Sequence, residues 1–201
     1  GNLLSVYKAL KFVSNKNYLI SVTDDHKDIL KSDRIVFPGQ GAINDCMKNL
    51  KKHNLDQAIS QLCKTRPFLG ICLGLQSLME YSDEGGGVKC LGLISGKVNR
   101  FKRNHAVPKE TEKLKIPHMG WNKVTFTRKH PLINGLENNS YFYFVHSFFV
   151  NPVDQNLVLG KTNYLGNFTS ILQKDYIFAT QFHPEKSSEA GLILLKNFLN
   201  W

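Results

Sequence analysis

The stretch "PFLGICLGLQSLMEY", Pro67 to Tyr81, decides the fold. An apolar run from Phe68 to Cys72 meets a helix-like segment at a cysteine set between Gly70 and Gly74. Glycine-x-nucleophile-x-glycine is the signature of an elbow: a sharp strand-to-helix turn lifts the central side chain out of the sheet, with glycines where backbones crowd. A cysteine sulfur there faces the first free N–H groups of the next helix, whose partial positive charge favours thiolate over thiol. Cys72 is therefore a candidate nucleophile; the alternative, a small buried apolar residue, is the ordinary fate of cysteine. Cys46, Cys63 and Cys90 lack this setting.

Upstream of the elbow, "NLLSVYKALKFV" puts Leu3, Val6, Leu10 and Val13 at helical spacing, and "YLISV" (Tyr18 to Val22) reads as a short strand. "RIVFPG" is a second strand stopped by Pro38 and Gly39, and "INDCMKNLKKHNLDQAISQLCK" supplies helical turns. This alternation predicts a parallel sheet covered on both faces. Downstream, "LGLISGKVNRF", "KVTFTRK", "YFYFVHSFFV", "NLVLGKTNY", "FTSILQ" and "YIFATQFHP" are closely spaced strand candidates, with "QKDY" as a hairpin turn. The terminal "SSEAGLILLKNFLNW" reads as a helix with Ser187 or Ser188 as N-cap, Glu189 in its first turn and an apolar stripe of Ala190, Ile193, Leu194 and Phe198. The expected fold is α/β: a mixed, mostly parallel central sheet flanked by helices with antiparallel strand additions, one domain over residues 1–201.

Two glycine patterns do not carry chemistry. "GLISGKV" is one residue short of a phosphate loop and has Val98 where a hydroxyl must hold magnesium. "GQGAIN" has Asn44 at the third glycine position of a dinucleotide fingerprint.

The totals set outer limits. With 201 residues, 42% of them hydrophobic and 21% charged, the chain can bury the core of one soluble domain and is not disordered. No apolar run is long enough to span a bilayer, no secretory signal is visible, and the triplets "NNS" and "NFT" matter only in a secreted protein. Four scattered cysteines without a C-x-x-C pair argue against zinc and a disulfide framework, and fit a cytoplasmic protein without metal or cofactor. The net charge of +10 is concentrated around "KRNHAVPKETEKLK", an expected exposed loop. With no basic helix face and no RNA-binding aromatic signature, neither nucleic acid nor membrane is an expected partner.

A thiolate elbow needs a base. His26, His53, His105 and His130 stand in polar or charged surroundings where a solvated imidazole is the default. "QFHPEKS" is different, because Pro184 biases His183 toward an extended backbone, where residues two apart project on one side. His183 and Glu185 then share a face with Gln181 and Ala179, and the carboxylate orients the imidazole and stabilises its protonated form. A solvent-facing strand end is the alternative.

"FLGICLGLQSL" and "TQFHPEKS" together resemble the class-I (triad) glutamine amidotransferases, a family of flavodoxin-like α/β domains, over nearly the whole chain. "PGQGAINDCM", "EGGGVKCLGLISGKVNRF", "KIPHMGWNKV", "FYFVHSFFV" and "HPEKSSEAGLILLKNFL" resemble in particular the glutaminase subunits of imidazole glycerol phosphate synthases. The resemblance implies a catalytic triad of Cys72, His183 and Glu185 that hydrolyses glutamine through a thioester. It implies an oxyanion hole from the N–H of Leu73 and the peptide within Gly39-Gln40-Gly41, and substrate contacts at Gln76, Ser147 and Phe148. It also implies a heterodimer with a (β/α)8 cyclase that uses the ammonia in histidine biosynthesis, with Asn2, Trp121 and Lys186 near the interface. Trp121 fits a buried core aromatic equally well. Lys186, one residue past Glu185, would face the opposite side of an extended strand.

Two departures stand out. The family usually has an apolar residue where this chain has Gln40, in the loop of the implied oxyanion hole. The family also has a strand and a glycine-rich turn upstream of "GNLLSV", so the expected sheet lacks a central member and the fragment is not expected to fold well. A glutaminase serving a surface-sugar amidotransferase remains the alternative function, with a different cysteine hydrolase and a nucleic-acid-binding module as more distant ones.

Overall fold

Strand β2 (Phe68–Cys72) is apolar along its length because both its faces are covered. Leu69 and Ile71 enter one core with α1 (Leu3–Ser14) and α6 (Ser188–Leu199), while Phe68 enters a second with α3 (Ile43–Lys52) and α4 (Leu55–Leu62). Truncating a side chain such as Leu69 to alanine would cost about 2–5 kcal/mol. The computed structural model describes residues 3–102 and 114–201; His105 and most of the expected basic loop, together with Asn2, lie outside them.

The remaining elements are α2 (His26–Lys31), β1 (Ile35–Gly39), α5 (Leu73–Gln76), β3 (Met79–Ser82), β4 (Val88–Lys89) and β5 (Ile94–Arg100). After them come β6 (His118–Phe126), β7 (Ser140–His146), β8 (Phe148–Pro152), β9 (Val158–Asn163), β10 (Asn167–Lys174) and β11 (Ile177–Thr180). The sheet runs β1-β2-β11-β10-β8-β5-β3-β4, with β9 on β10 and β6 bridging β9 to β7. Parallel pairing is confined to β1-β2-β11 and β3-β5, and the other ladders are antiparallel. The β10–β11 hairpin turns at Asp175, whose φ of 49° suits the left-handed position of a tight turn. β1 and β11 flank β2, so Gly39 lies beside Cys72 and Thr180 beside Ile71.

Three local expectations are corrected. Tyr18–Val22 joins no ladder, since β1 ends the strand order, and Leu19 is 95% exposed. A strand has to satisfy its backbone on a neighbour, so apolar alternation alone cannot hold it. The helix after Cys72 stops at Gln76 rather than running to Tyr81. The carbonyls of Ser77 and Leu78, which would continue it, instead accept from the N–H groups of Leu91 and of Leu93 and Ile94. Finally, Ser187 is the N-cap residue of α6 but its hydroxyl does not cap the helix; it donates to the carbonyl of His183 at 2.6 Å.

Candidate active site

Parallel strands leave their carboxyl ends together, and the crevice there is where open α/β sheets place their chemistry. Cys72 ends β2 with φ 54° and ψ −102°, a strained conformation of the kind that persists only where the surroundings over-determine it. The two glycines of the elbow are required by contact. A Cβ on Gly70 would lie 3.1 Å from the Gly74 carbonyl and from Ala179, and one on Gly74 would lie 2.0 Å from the Phe37 carbonyl oxygen. On the neighbouring strand, a Cβ on Gly39 would lie 2.8 Å from Cβ of Leu73. The loop Gly39-Gln40-Gly41 is thereby held against the start of α5. Because α5 is one turn long, it offers Cys72 free N–H groups rather than the field of a long helix.

His183 arrives from β11. Its N–H donates to the Tyr143 carbonyl at 2.9 Å, and the Ser187 hydroxyl ties it to β7 by accepting from the Tyr143 N–H at 3.0 Å. The chain then turns through a 3₁₀ segment, Pro184–Lys186, rather than staying extended. That turn brings Oε1 of Glu185 to 2.9 Å from Nδ1 of His183, with side chains 0% and 2% exposed. The pairing expected from the sequence is present, reached by a tighter backbone. Burial, the largest single influence, pulls the His183 pKa down, but hydrogen bonding with Cys72 and Glu185 and their charges together hold it above its ordinary value. Nε2 of His183 is buried and has no other hydrogen-bond partner among the described residues, which leaves it to Cys72. By contrast, burial pushes Cys63 up to about 12 and Cys46 and Cys90 up to about 11, leaving three unreactive thiols.

Cys72, His183, Leu73, Gln76, Gly39, Gln40, Gly41, Ser147 and Phe148 line one cavity of about 450 Å³. A second cavity of about 540 Å³, around Arg100, Lys102 and Asn167, lacks any cysteine or histidine. Gln76 is buried and donates to the Phe148 carbonyl at 3.0 Å and to Oε1 of Gln181 at 3.2 Å. Gln181 in turn donates to the Cys72 sulfur at 3.6 Å. Glu84 also lines the cavity and accepts from the Ile43 N–H at 3.2 Å, bracing the start of α3. Sequence reasoning misses Gln181 and Glu84 as site residues: the alternation of an extended chain puts Gln181 on the His183 face without giving it a role, and nothing in "SDEGGG" marks Glu84.

Trp121 is 52% exposed, which overturns its core alternative. It stands opposite Tyr143 in the β6–β7 ladder, ring centroids 6.2 Å apart, and Nζ of Lys186 lies 5.7 Å from the Tyr143 ring. The 3₁₀ turn moves Lys186 to the cavity lining rather than the far side. Met119 and Tyr141 are exposed on the same two strands. His130 is not a solvated imidazole: it packs on Phe178 and Trp201, accepts from the Leu132 N–H, and burial holds its pKa down at about 4. Among the described residues, no helix is long and apolar enough to cross a membrane.

The family model for class-I glutamine amidotransferases matches residues 5–201. A Nitrosococcus oceani protein named imidazole glycerol phosphate synthase subunit HisH is 51% identical over 201 residues, covering 100% of this chain and 93% of the relative. A protein of the same name from Hydrogenovibrio crunogenus is 47% identical, with 100% and 92% covered. Among solved structures, a glutamine amidotransferase superimposes with a TM-score of 0.70 at 15% identity over 96% of this chain and 90% of its own. The glutaminase domain of a Trypanosoma brucei CTPS gives 0.64 at 15% identity over 98% and 88%; at that identity both show the fold alone.

Proposed function

This chain belongs to the class-I glutamine amidotransferase family, and we propose that it is the glutaminase subunit of an imidazole glycerol phosphate synthase. It hydrolyses glutamine to glutamate and ammonia, and the ammonia passes to a cyclase subunit that makes imidazole glycerol phosphate and aminoimidazole carboxamide ribotide in histidine biosynthesis. The observation that carries this reading is that Cys72 and His183 line one cavity with buried Glu185 paired to His183, in a chain matched end to end by named subunits of that synthase.

The Cys72 sulfur attacks the carboxamide carbon of glutamine, and His183 holds the thiol proton at Nε2. As the C–N bond breaks, that proton goes to the departing nitrogen and ammonia leaves a thioester behind. Water, losing a proton to Nε2, then attacks the thioester carbon; the C–S bond breaks, the sulfur regains the proton, and glutamate departs. Glu185 fixes the Nδ1–H tautomer, so Nε2 is the atom that faces Cys72. Each tetrahedral intermediate carries an oxyanion. The Leu73 N–H and the peptide within Gly39-Gln40-Gly41 are its donors, each worth about 100- to 1000-fold in rate. Gln76 and the Ser147–Phe148 backbone line the pocket for the amino-acid end of the substrate, and Glu84 supplies a carboxylate for its ammonium.

Ammonia released into water is protonated and lost, so the subunit works docked on its cyclase, a (β/α)8 barrel, as a cytoplasmic heterodimer. Trp121 and Lys186 lie on the face that meets it. Asn2, the third expected contact, lies outside the described residues. The test is glutamate release from glutamine by the chain with and without the cyclase and its nucleotide ligand, beside Cys72→Ala. Low activity alone, a large rise in the complex and none with Cys72→Ala is the expected result. Restored growth of a deletion strain without histidine then separates this acceptor from any other.

A further inference from the structure

Two buried histidines that the hydrolytic steps do not use stand at the cavity: His146 lines it and His118 packs against His146 from outside the lining. Nδ1 of His118 is 3.0 Å from Nε2 of His146, and Nδ1 of His146 is 2.8 Å from the Phe148 carbonyl oxygen. Nε2 of His118 is 3.3 Å from Nδ2 of Asn122, whose amide nitrogen also donates to the Asn163 carbonyl at 3.0 Å. The Asn122 oxygen accepts from the Lys123 N–H at 2.8 Å, which fixes which way the amide faces.

The chemistry of these partners leaves one direction for every proton. A carbonyl only accepts, so His146 carries its proton on Nδ1. Burial, foremost, with the nearby His118 and His183 charges, holds His146 down at about 3 against the pull of the Phe148 carbonyl, so its ring is neutral and Nε2 accepts. His118 must then donate from Nδ1. Burial holds it at about 4, so its Nε2 accepts from Asn122, an amide that only donates there. The chain Asn122 to His118 to His146 to Phe148 is thus a fully assigned row of hydrogen bonds. The His118 ring is clamped between Tyr164 and Phe144, with centroids at 3.9 and 4.7 Å.

The row ends on a carbonyl of the substrate cavity. Gln76 fills the second lone pair of the Phe148 oxygen, and the preceding carbonyl, Ser147, accepts from the Phe101 N–H at 3.0 Å. It begins at Asn122, next to exposed Trp121 on β6. We infer that the His118–His146 pair positions the Ser147–Phe148 backbone for glutamine and ties that backbone to the β6 strand that carries Trp121. The inference rests on the glutaminase reading for its substrate and on geometry for the rest. His118 and Asn122 are positioning residues, since they act on glutamine only through His146 and Phe148.

The test compares parent, His118→Phe and His118→Asn in the complex with the cyclase, with glutamine as substrate. His118→Phe keeps a flat ring in the clamp and loses both hydrogen bonds; His118→Asn retains an N–H at the position of Nδ1. The expected result is a KM for glutamine raised about tenfold by His118→Phe with kcat changed less than about threefold, and a KM returned toward the parent by His118→Asn. An unchanged KM, a loss confined to kcat, or no rescue by His118→Asn would overturn the inference. Nitrogen-15 NMR of labelled histidines in the parent chain reads the same row without activity and covers a variant that fails to fold: both rings must be neutral Nδ1–H tautomers at pH 7. An Nε2–H ring at either position would overturn it. A parent complex that releases no glutamate would instead count against the proposed function, leaving the tautomer result to decide the row.

Discussion

Gly74 lies under the backbone of Phe37: a Cβ there would sit 2.0 Å from the Phe37 carbonyl oxygen. This contact joins the turn after Cys72 to the strand that leads into the Gly39–Gly41 loop, so the two proposed sources of oxyanion donors are set by one packing distance. A backbone oxygen cannot swing aside like a side chain. Gly74→Ala should therefore destabilise the fold by about 3 kcal/mol or more, with any folded fraction losing glutaminase activity. Urea unfolding followed by far-UV circular dichroism checks it; a midpoint within error of the parent would mean that β1 and α5 are not held this closely.

Replacing Glu185 with glutamine keeps the shape and removes the charge beside Nδ1 of His183 at 2.9 Å. It can also present an N–H to Nδ1 and favour the wrong tautomer. We expect kcat to fall about 100- to 10,000-fold while the KM for glutamine changes little. Steady-state rates in the complex with the cyclase decide it, and a variant within tenfold of the parent would remove Glu185 from the reaction.

The elbow was legible because its cause is local: strand, glycine, cysteine, glycine and helix start lie within seven residues, and the contacts of Gly70 and Gly74 account for both glycines. The His183–Glu185 pair was legible in its members and not in its backbone, because Pro184 is as compatible with the first position of a 3₁₀ turn as with an extended chain. Gln181 and Glu84 reach the site through partners 109 and 41 positions away in sequence, a distance no periodicity crosses. His118 and His146 escaped for the same reason, sitting 28 residues apart yet directly opposed in the β6–β7 ladder. The short strand at Tyr18–Val22 failed because strand formation belongs to a pair, and a single segment's pattern does not contain its neighbour.

Glu84 offers the cavity a carboxylate while its Oε2 accepts from the Ile43 N–H. Glu84→Gln keeps an acceptor for Ile43 and loses the charge proposed to attract the substrate ammonium. The expected outcome is a KM for glutamine raised about tenfold or more with kcat within about threefold, a loss of binding shared by ground and transition states. Measuring kcat and KM separately checks it; a fall in kcat alone would place Glu84 in the chemistry instead.

Stability should fall as the medium is acidified from pH 6.5 toward pH 4. His118 and His146 are held at about 4 and about 3 in the folded chain, whereas in the unfolded chain both bind a proton near pH 6.5. Between those values the unfolded state carries more protons, so acid favours unfolding, by about 2 kcal/mol for each ring between pH 6.5 and pH 5. His183 works the other way: its raised pKa contributes fully below pH 6.5 and is lost only as pH climbs through its folded value. Urea titrations at pH 7 and pH 5 give the slope, which His118→Phe should reduce; a flat profile would show that these rings are not buried neutral.

Trp121 and Lys186 occupy one face for different physical reasons, and removing each should leave a different trace. Trp121 is 52% exposed, touches Tyr143 edge-on and stands between Met119 and Lys123 on β6, so the free subunit gains little from its burial. An aromatic of this size earns its contact area only when a partner covers it. Trp121→Ala should leave the unfolding midpoint almost unchanged while weakening the cyclase complex about 30-fold or more, as the loss of a central aromatic anchor does. Lys186 is a charge at the mouth of the cavity, 5.7 Å from the Tyr143 ring. A charge at a wet edge acts mainly on association rate and is screened by salt, so Lys186→Met should slow association in dilute buffer and converge on the parent in concentrated salt. Surface plasmon resonance across a salt series separates the two. If Trp121→Ala bound as tightly as the parent, the β6–β7 face would not be the docking surface, and the ammonia would have to leave by another side of the cavity.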